Sequence, residues 1–73
     1  MTALDAAHLH HHSGNVRDAE ALYRTVLRDD PHNADALHGL GILCLNAGRH
    51  MEAEGLIRAA AAARPVPEFF FHL

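Results

Sequence analysis

The sequence has no lysine, one serine and one cysteine, and each scarcity narrows the class of protein. All six basic residues are arginines, they are interleaved with acidic residues, and the formal net charge is −3. Nucleic-acid binders instead carry a basic stripe that displaces counterions from phosphate groups. The lone Cys44 cannot form an internal disulfide, so the chain is not a secreted disulfide scaffold.

Long apolar runs and catalytic groupings are also missing. No stretch approaches the roughly 18 uninterrupted apolar residues of a membrane span, and residues 1–12 show no basic start followed by an apolar run. Ser13 lies in a predicted turn and Cys44 in an apolar stripe, without an evident base for either. No glycine-rich phosphate loop is present. We therefore expect a cytoplasmic protein that is not an enzyme and needs no cofactor.

The sequence does have an internal repeat. Hydrophobic residues make up 49% of it and charged residues 21%, which is typical of a folded domain. A shift of 34 residues superposes identical residues at both turns and along both predicted second helices. The identical pairs include Leu9 and Leu43, Gly14 and Gly48, Ala19 and Ala53, Glu20 and Glu54, Leu22 and Leu56, Arg24 and Arg58, Pro31 and Pro65, and His38 and His72.

Each repeat unit predicts two helices. Apolar residues recur at three- and four-residue spacing, Asn33 is placed as a helix N-cap, and Gly14 and Gly48 interrupt the pattern. Small residues such as Gly41 occur where two helices of a hairpin would cross. The predicted helices span 2–12, 16–29, 34–46 and 50–63, with a helical stub from about 67.

These residues resemble the tetratricopeptide repeat family. The family's signature is matched in the second unit by Leu37, Leu40, Gly41, Cys44, Ala53, Ile57 and Pro65. The resemblance implies an all-α fold of antiparallel helix-turn-helix hairpins, stacked as a short right-handed superhelix. It also implies one domain over 1–73, with repeat 1 at about 1–33, repeat 2 at about 34–67, and a truncated repeat or capping stub at 68–73.

The resemblance further implies a protein–protein interaction module, because the first helices of such repeats line a concave groove. We expect this module to be a fragment of a larger scaffold protein. The residues that map to this groove are Leu4, His8, His11, His12, His38, Ile42, Leu45, Asn46, Phe69 and His72. A groove of imidazoles and aliphatic side chains would hold a peptide or partner protein. Some family members clamp a partner's C-terminal carboxylate with a lysine, but this chain has none. The partner's identity stays open.

The sequence also supports three further hypotheses beside a peptide-binding groove. The sequence of residues 21–49 is also similar to the repeat arms of bacterial proteins that resemble O-linked N-acetylglucosamine transferases. This similarity would make the chain the substrate-selecting arm of a glycosyltransferase-like enzyme whose catalytic domain is not in this chain. The eight histidines include His8, His11 and His12 at metal-binding helical spacing, although only Asp5 lies nearby to complete a ligand set. Phe69, Phe70 and Phe71 near an unfinished third unit favour a homodimer through the C-terminal stub.

Overall fold

The computed structural model describes residues 1–63, and these residues form four helices. They are α1 (Ala3–His12), α2 (Val16–Asp29), α3 (Ala34–Asn46) and α4 (His50–Ala63). The predicted helices are confirmed, and α1 differs only in beginning one residue later. The expected stub from residue 67 lies outside the described residues. None of the four helices has the length and apolarity needed to cross a bilayer.

Side-chain caps start α1 and α3. The backbone N–H of Asp5 donates to the Thr2 hydroxyl at 3.1 Å, and the backbone N–H of Thr2 donates to the Asp5 carboxylate at 3.2 Å. This reciprocal pair explains why the first helix begins at Ala3, because Thr2 serves as its N-cap. Asn33 caps α3, as predicted, by accepting from the backbone N–H of Ala36 at 2.9 Å.

Glycine residues end the first helix of each hairpin. Gly14 follows α1 with a φ of 84°, and Gly48 follows α3 with a φ of 82°. An L-residue side chain strongly disfavours this left-handed backbone conformation, so glycine is the favoured residue there. The two interruptions predicted from the repeat are therefore confirmed as the hairpin turns.

The helices pack in chain order, with α1 against α2, α2 against α3, and α3 against α4. The core holds small residues where helices cross, together with Tyr23, Leu40 and Cys44 as its largest fully buried side chains. A Cβ added to Gly41 would lie 2.8 Å from Ile57 Cγ1, which confirms that this position needs glycine for close approach. The structure is thus all-α, with two helical hairpins packed side by side.

The two hairpins are closer on one side than on the other. Along the described chain, α1 approaches α3, whereas no Cα atoms of α2 and α4 lie within 8 Å of one another. Charged side chains bridge α2 and α4, as when Arg24 Nη2 lies 2.8 Å from Glu52 Oε2. The first helices of the hairpins therefore form the inner side of the stack, and the second helices form its outer side.

Candidate binding surface

Eight of the ten predicted groove residues fall within the described chain, and they lie on α1 and α3. We call these eight residues the inner face: Leu4, His8, His11, His12, His38, Ile42, Leu45 and Asn46. His12, His38, Leu45 and Asn46 are exposed, whereas the other four are partly buried. The predicted Phe69 and His72 lie outside the described residues. Exposed and buried members of this set have different roles.

His8 and His11 converge on Tyr23, which rises from α2 into the gap between the hairpins. The Tyr23 hydroxyl lies 3.1 Å from Nδ1 of His8 and 3.0 Å from Nδ1 of His11. Both imidazole rings also meet the Tyr23 ring edge-on, with centroid distances of 5.5 and 5.9 Å. His11 stacks in turn on His12 at 6.0 Å. Two of the predicted groove histidines therefore also support the core.

The hydrogen-bonding capacity of this cluster restricts its protonation. Tyr23 has one hydroxyl proton, so one imidazole at least must carry a proton on Nδ1 if both hydrogen bonds form. If both imidazoles became cations, both would donate to the tyrosine oxygen, and the two charges would repel. Burial lowers the pKa of His11, with further lowering from His12 and His8. Burial also raises the pKa of Tyr23.

An apolar cleft of about 370 Å³ opens at the end of the first hairpin. Its lining residues are Thr2, Ala3, Leu4, Thr25, Val26, Asp29 and Asn33. The 34-residue shift places Ala3 on Leu37, which is only 6% exposed in the second hairpin. The cleft therefore lies where the second hairpin has a buried leucine and the first has only a methyl group. Comparing the two units at this position would have indicated it from the sequence.

Four charged side chains form a closed ring of alternating sign between the hairpins. Glu20 and Arg24 of α2 meet Glu52 of α4 and Arg49, which precedes α4. The nitrogen–oxygen distances are 2.8 Å for Arg24–Glu20 and Arg24–Glu52, 3.0 Å for Arg49–Glu20 and 3.4 Å for Arg49–Glu52. Hydrogen bonds from Arg49 and then Arg24 lower the pKa of Glu20, and a hydrogen bond from Arg24 lowers that of Glu52. We call this set the charge ring.

Cys44 and the metal-binding residue types are the remaining chemical candidates. Cys44 is fully buried, as predicted, and burial raises the pKa of its thiol, which keeps it protonated. Across residues 1–63, no group of three or more His, Cys, Asp or Glu side chains is arranged to hold a metal ion. The inner face is therefore a surface of mixed polar and apolar side chains.

Comparison with known proteins agrees with this architecture. Residues 4–66 match the family model described as tetratricopeptide repeat. No curated protein and no solved structure matches the chain.

Proposed function

Because the chain belongs to the tetratricopeptide repeat family, we propose that it binds a peptide or partner protein along the inner face of α1 and α3. Domains of this family are generally protein–protein interaction modules, and the match identifies no catalytic domain. The observation that carries the proposal is that the inner face exposes both apolar and polar side chains: Leu45 is 42% exposed, and His12, His38 and Asn46 are exposed as well. Aliphatic surface supplies contact area, while imidazole and amide groups supply hydrogen bonds.

We also propose a domain organisation and a cellular compartment for the protein. One domain spans 1–73, with repeats at about 1–33 and 34–67. We propose a cytoplasmic scaffold, because a free, buried cysteine is compatible with a reducing compartment. A homodimer through the stub at 68–73 belongs to the same proposal, although that segment lies outside the described residues. Sedimentation over a range of concentrations tests it.

Two exposed apolar residues provide a matched test of where the partner binds. Leu45 lies on α3, in the inner face, whereas Met51 lies on α4 and is 92% exposed. A labelled peptide rich in leucine and glutamate, and a matched one rich in leucine and lysine, serve as probes. Leu45→Asp should weaken binding of the better probe about tenfold or more, or about 1.4 kcal/mol, and Met51→Asp should leave it unchanged.

Protonation gives the second arm of the test. Imidazole side chains become cationic in mildly acidic solution, so lowering the pH should raise the affinity of the inner face for the acidic peptide and lower its affinity for the basic peptide. A His12→Gln, His38→Gln double variant should lose this response while keeping Tyr23 and its two histidine partners. Equal effects of Leu45→Asp and Met51→Asp, or a pH response that survives the double variant, would contradict binding at the inner face.

A further inference from the structure

The apolar cleft at the end of the first hairpin lies where one repeat lacks a large side chain that the other has. Positions 3, 37 and 71 correspond under the 34-residue shift, and they hold Ala3, Leu37 and Phe71. Leu37 is 6% exposed, so the second hairpin buries a large apolar side chain at this position. In the first hairpin, the small Ala3 lines an opening of about 370 Å³ beside Leu4 and Val26. The cleft therefore lacks a side chain of the kind that Phe71 carries.

The size and lining of the cleft suit one apolar side chain. Sites for small molecules have about 300–1,000 Å³ and a few polar groups that converge on the ligand. This cleft is near the lower limit, at about 370 Å³. Three of its polar side chains already form hydrogen bonds within the fold: Thr2 and Asn33 accept from backbone N–H groups as helix caps, and Thr25 donates to a backbone carbonyl of its own helix. An apolar ring needs no hydrogen bonds from them.

The last described residue lies at the same end of the stack as the cleft. Short turns join consecutive helices, so the starts of α1 and α3 lie beside the ends of α2 and α4. Asn33 lines the cleft and precedes α3, and Ala63 ends α4, which packs on α3. Because neighbouring helix axes are about 8–10 Å apart, two helix spacings, or about 20 Å, separate Ala63 from the cleft.

We infer that the phenyl ring of Phe71 docks in the cleft of its own chain, against Leu4 and Val26. Ten residues follow Ala63, all of them outside the described part of the chain, and Phe71 is the eighth. Eight residues span at most about 26–29 Å, so Phe71 can cross the distance of about 20 Å to the cleft. Closing so short a segment costs little entropy, and burying the ring removes apolar surface from water.

This docking competes with the homodimer proposed through residues 68–73, because one ring cannot occupy its own cleft and that of a second copy. The tether favours the ring's own chain. A short flexible linker holds a ligand near its site at an effective concentration in the millimolar range, which a second copy matches only at comparable protein concentration. The docked segment therefore closes the end of the first hairpin in the monomer.

Two substitutions in the 73-residue chain test whether Phe71 and the cleft interact. Phe71→Ser removes the ring, and Ala3→Leu fills the cleft from within. Ala3→Leu should raise the urea midpoint more in the Phe71→Ser background than in the wild type, where the leucine also displaces the ring. Phe70→Ser is the matched control and should leave the gain from Ala3→Leu unchanged. Gly55→Ala should raise the midpoint equally in all backgrounds, because nothing lies within 4 Å of its added Cβ.

Nuclear Overhauser contacts measure the docking directly and do not depend on the stability of any variant. In the wild type at low concentration, ring protons of Phe71 should contact methyl groups of Leu4 and Val26, and sedimentation should show a monomer. Equal gains from Ala3→Leu with and without Phe71, the same coupling to Phe70→Ser, or no contact between Phe71 and Val26 would overturn the inference. So would a contact found only between differently labelled copies, because the occupant would then come from a second chain.

Discussion

Tyr23 fills the space that any side chain at residue 39 would need. A Cβ built on Gly39 would lie 2.5 Å from Cζ of the Tyr23 ring and 2.6 Å from its hydroxyl oxygen. Tyr23 is fully buried, and two histidines hold its hydroxyl, so the ring has little freedom to move away. The contact joins α2 to α3 and therefore joins the two hairpins. The stability of this contact depends on the large Tyr23 side chain and on the absence of a side chain at Gly39.

Adding a methyl group at residue 39 should weaken this contact between the hairpins. Alanine in place of a helical glycine usually stabilises by about 0.5–1 kcal/mol. At Gly39 the clash with Tyr23 should outweigh that gain, so Gly39→Ala should lower the free energy of unfolding by about 1–2 kcal/mol. Gly55→Ala is the matched control, because nothing lies within 4 Å of its added Cβ. Urea unfolding should show that Gly55→Ala is more stable than the wild type. If Gly39→Ala were also more stable than the wild type, the Tyr23 ring would have to move aside to accept the added methyl group.

The helices and their turns could be predicted because they depend on local signals that each unit repeats. Apolar spacing, Asn33 as a cap, and Gly14 and Gly48 at the turns all act within a few residues, so periodicity and residue type suffice. The structure differs from the predicted helix bounds only at the start of α1. There the Thr2 hydroxyl and the Asp5 carboxylate form a capping box that sequence analysis did not identify.

The side-chain partners across the hairpins could not be predicted in the same way. Offsets predicted that His8 and His11 line the groove, but their hydrogen bonds depend on how far Tyr23 reaches from α2. Glu20 and Arg49 are 29 residues apart, and they meet because the hairpins stack in one register. Interleaved charges in the sequence indicate a solvated surface and do not indicate which charges pair.

The cleft beside Ala3 gives a stabilising prediction. Leu37 fills the equivalent space in the second hairpin, so Ala3→Leu should place an apolar side chain against Leu4 and Val26. Burying about half of that side chain should raise the free energy of unfolding by about 1 kcal/mol. The reciprocal change, Leu37→Ala, should lower it by about 2–4 kcal/mol because it creates a cavity. Thermal unfolding measures both, and an Ala3→Leu variant no more stable than the wild type would show that the leucine stays in solvent.

The charge ring predicts unequal effects at two equivalent glutamates. Glu20 contacts both Arg24 and Arg49, whereas Glu54 pairs with Arg58. Glu20→Gln should therefore lower the free energy of unfolding by about 1 kcal/mol, whereas Glu54→Gln should lower it by at most a few tenths of a kcal/mol. The difference should shrink in high salt, because screening weakens exposed ion pairs. Equal costs for the two substitutions, measured by urea unfolding at low salt, would show that the ring adds nothing to a simple surface pair.

The charge ring also determines how the free energy of unfolding depends on pH in acidic solution. The folded-state pKa of Glu20 and that of Glu52 are lowered, so the unfolded state binds more protons as the pH falls below their ordinary value of 4.5. This contribution to stability is present above that value and is lost as the pH falls through the folded pKa. Glu20→Gln should flatten the profile in this acidic range. An unchanged slope there would contradict the assignment.

His11 should control a separate part of the pH profile, nearer neutrality. Its folded-state pKa is lowered from 6.5, first by burial and then by the nearby His12 and His8. The unfolded state therefore binds the proton more readily, and the free energy of unfolding should fall as the pH drops below about 6.5, until the folded pKa is passed. Each unit of lowering corresponds to about 1.4 kcal/mol between the two protonation states.

Glutamine at residue 11 separates the charge of the imidazole from its hydrogen bond. His11→Gln can still hydrogen-bond the Tyr23 hydroxyl but cannot titrate, so its free energy of unfolding should change less than that of the wild type between about pH 7.5 and 5.5. His32→Gln, in the exposed turn between α2 and α3, is the control and should keep the wild-type slope. Imidazole signals followed by NMR give the direct measurement, with His11 titrating below 6.5. If His11 titrates at or above that value, or if His32→Gln flattens the slope equally, then the pocket around Tyr23 does not disfavour the imidazolium, and the cluster is solvated like the surface histidines.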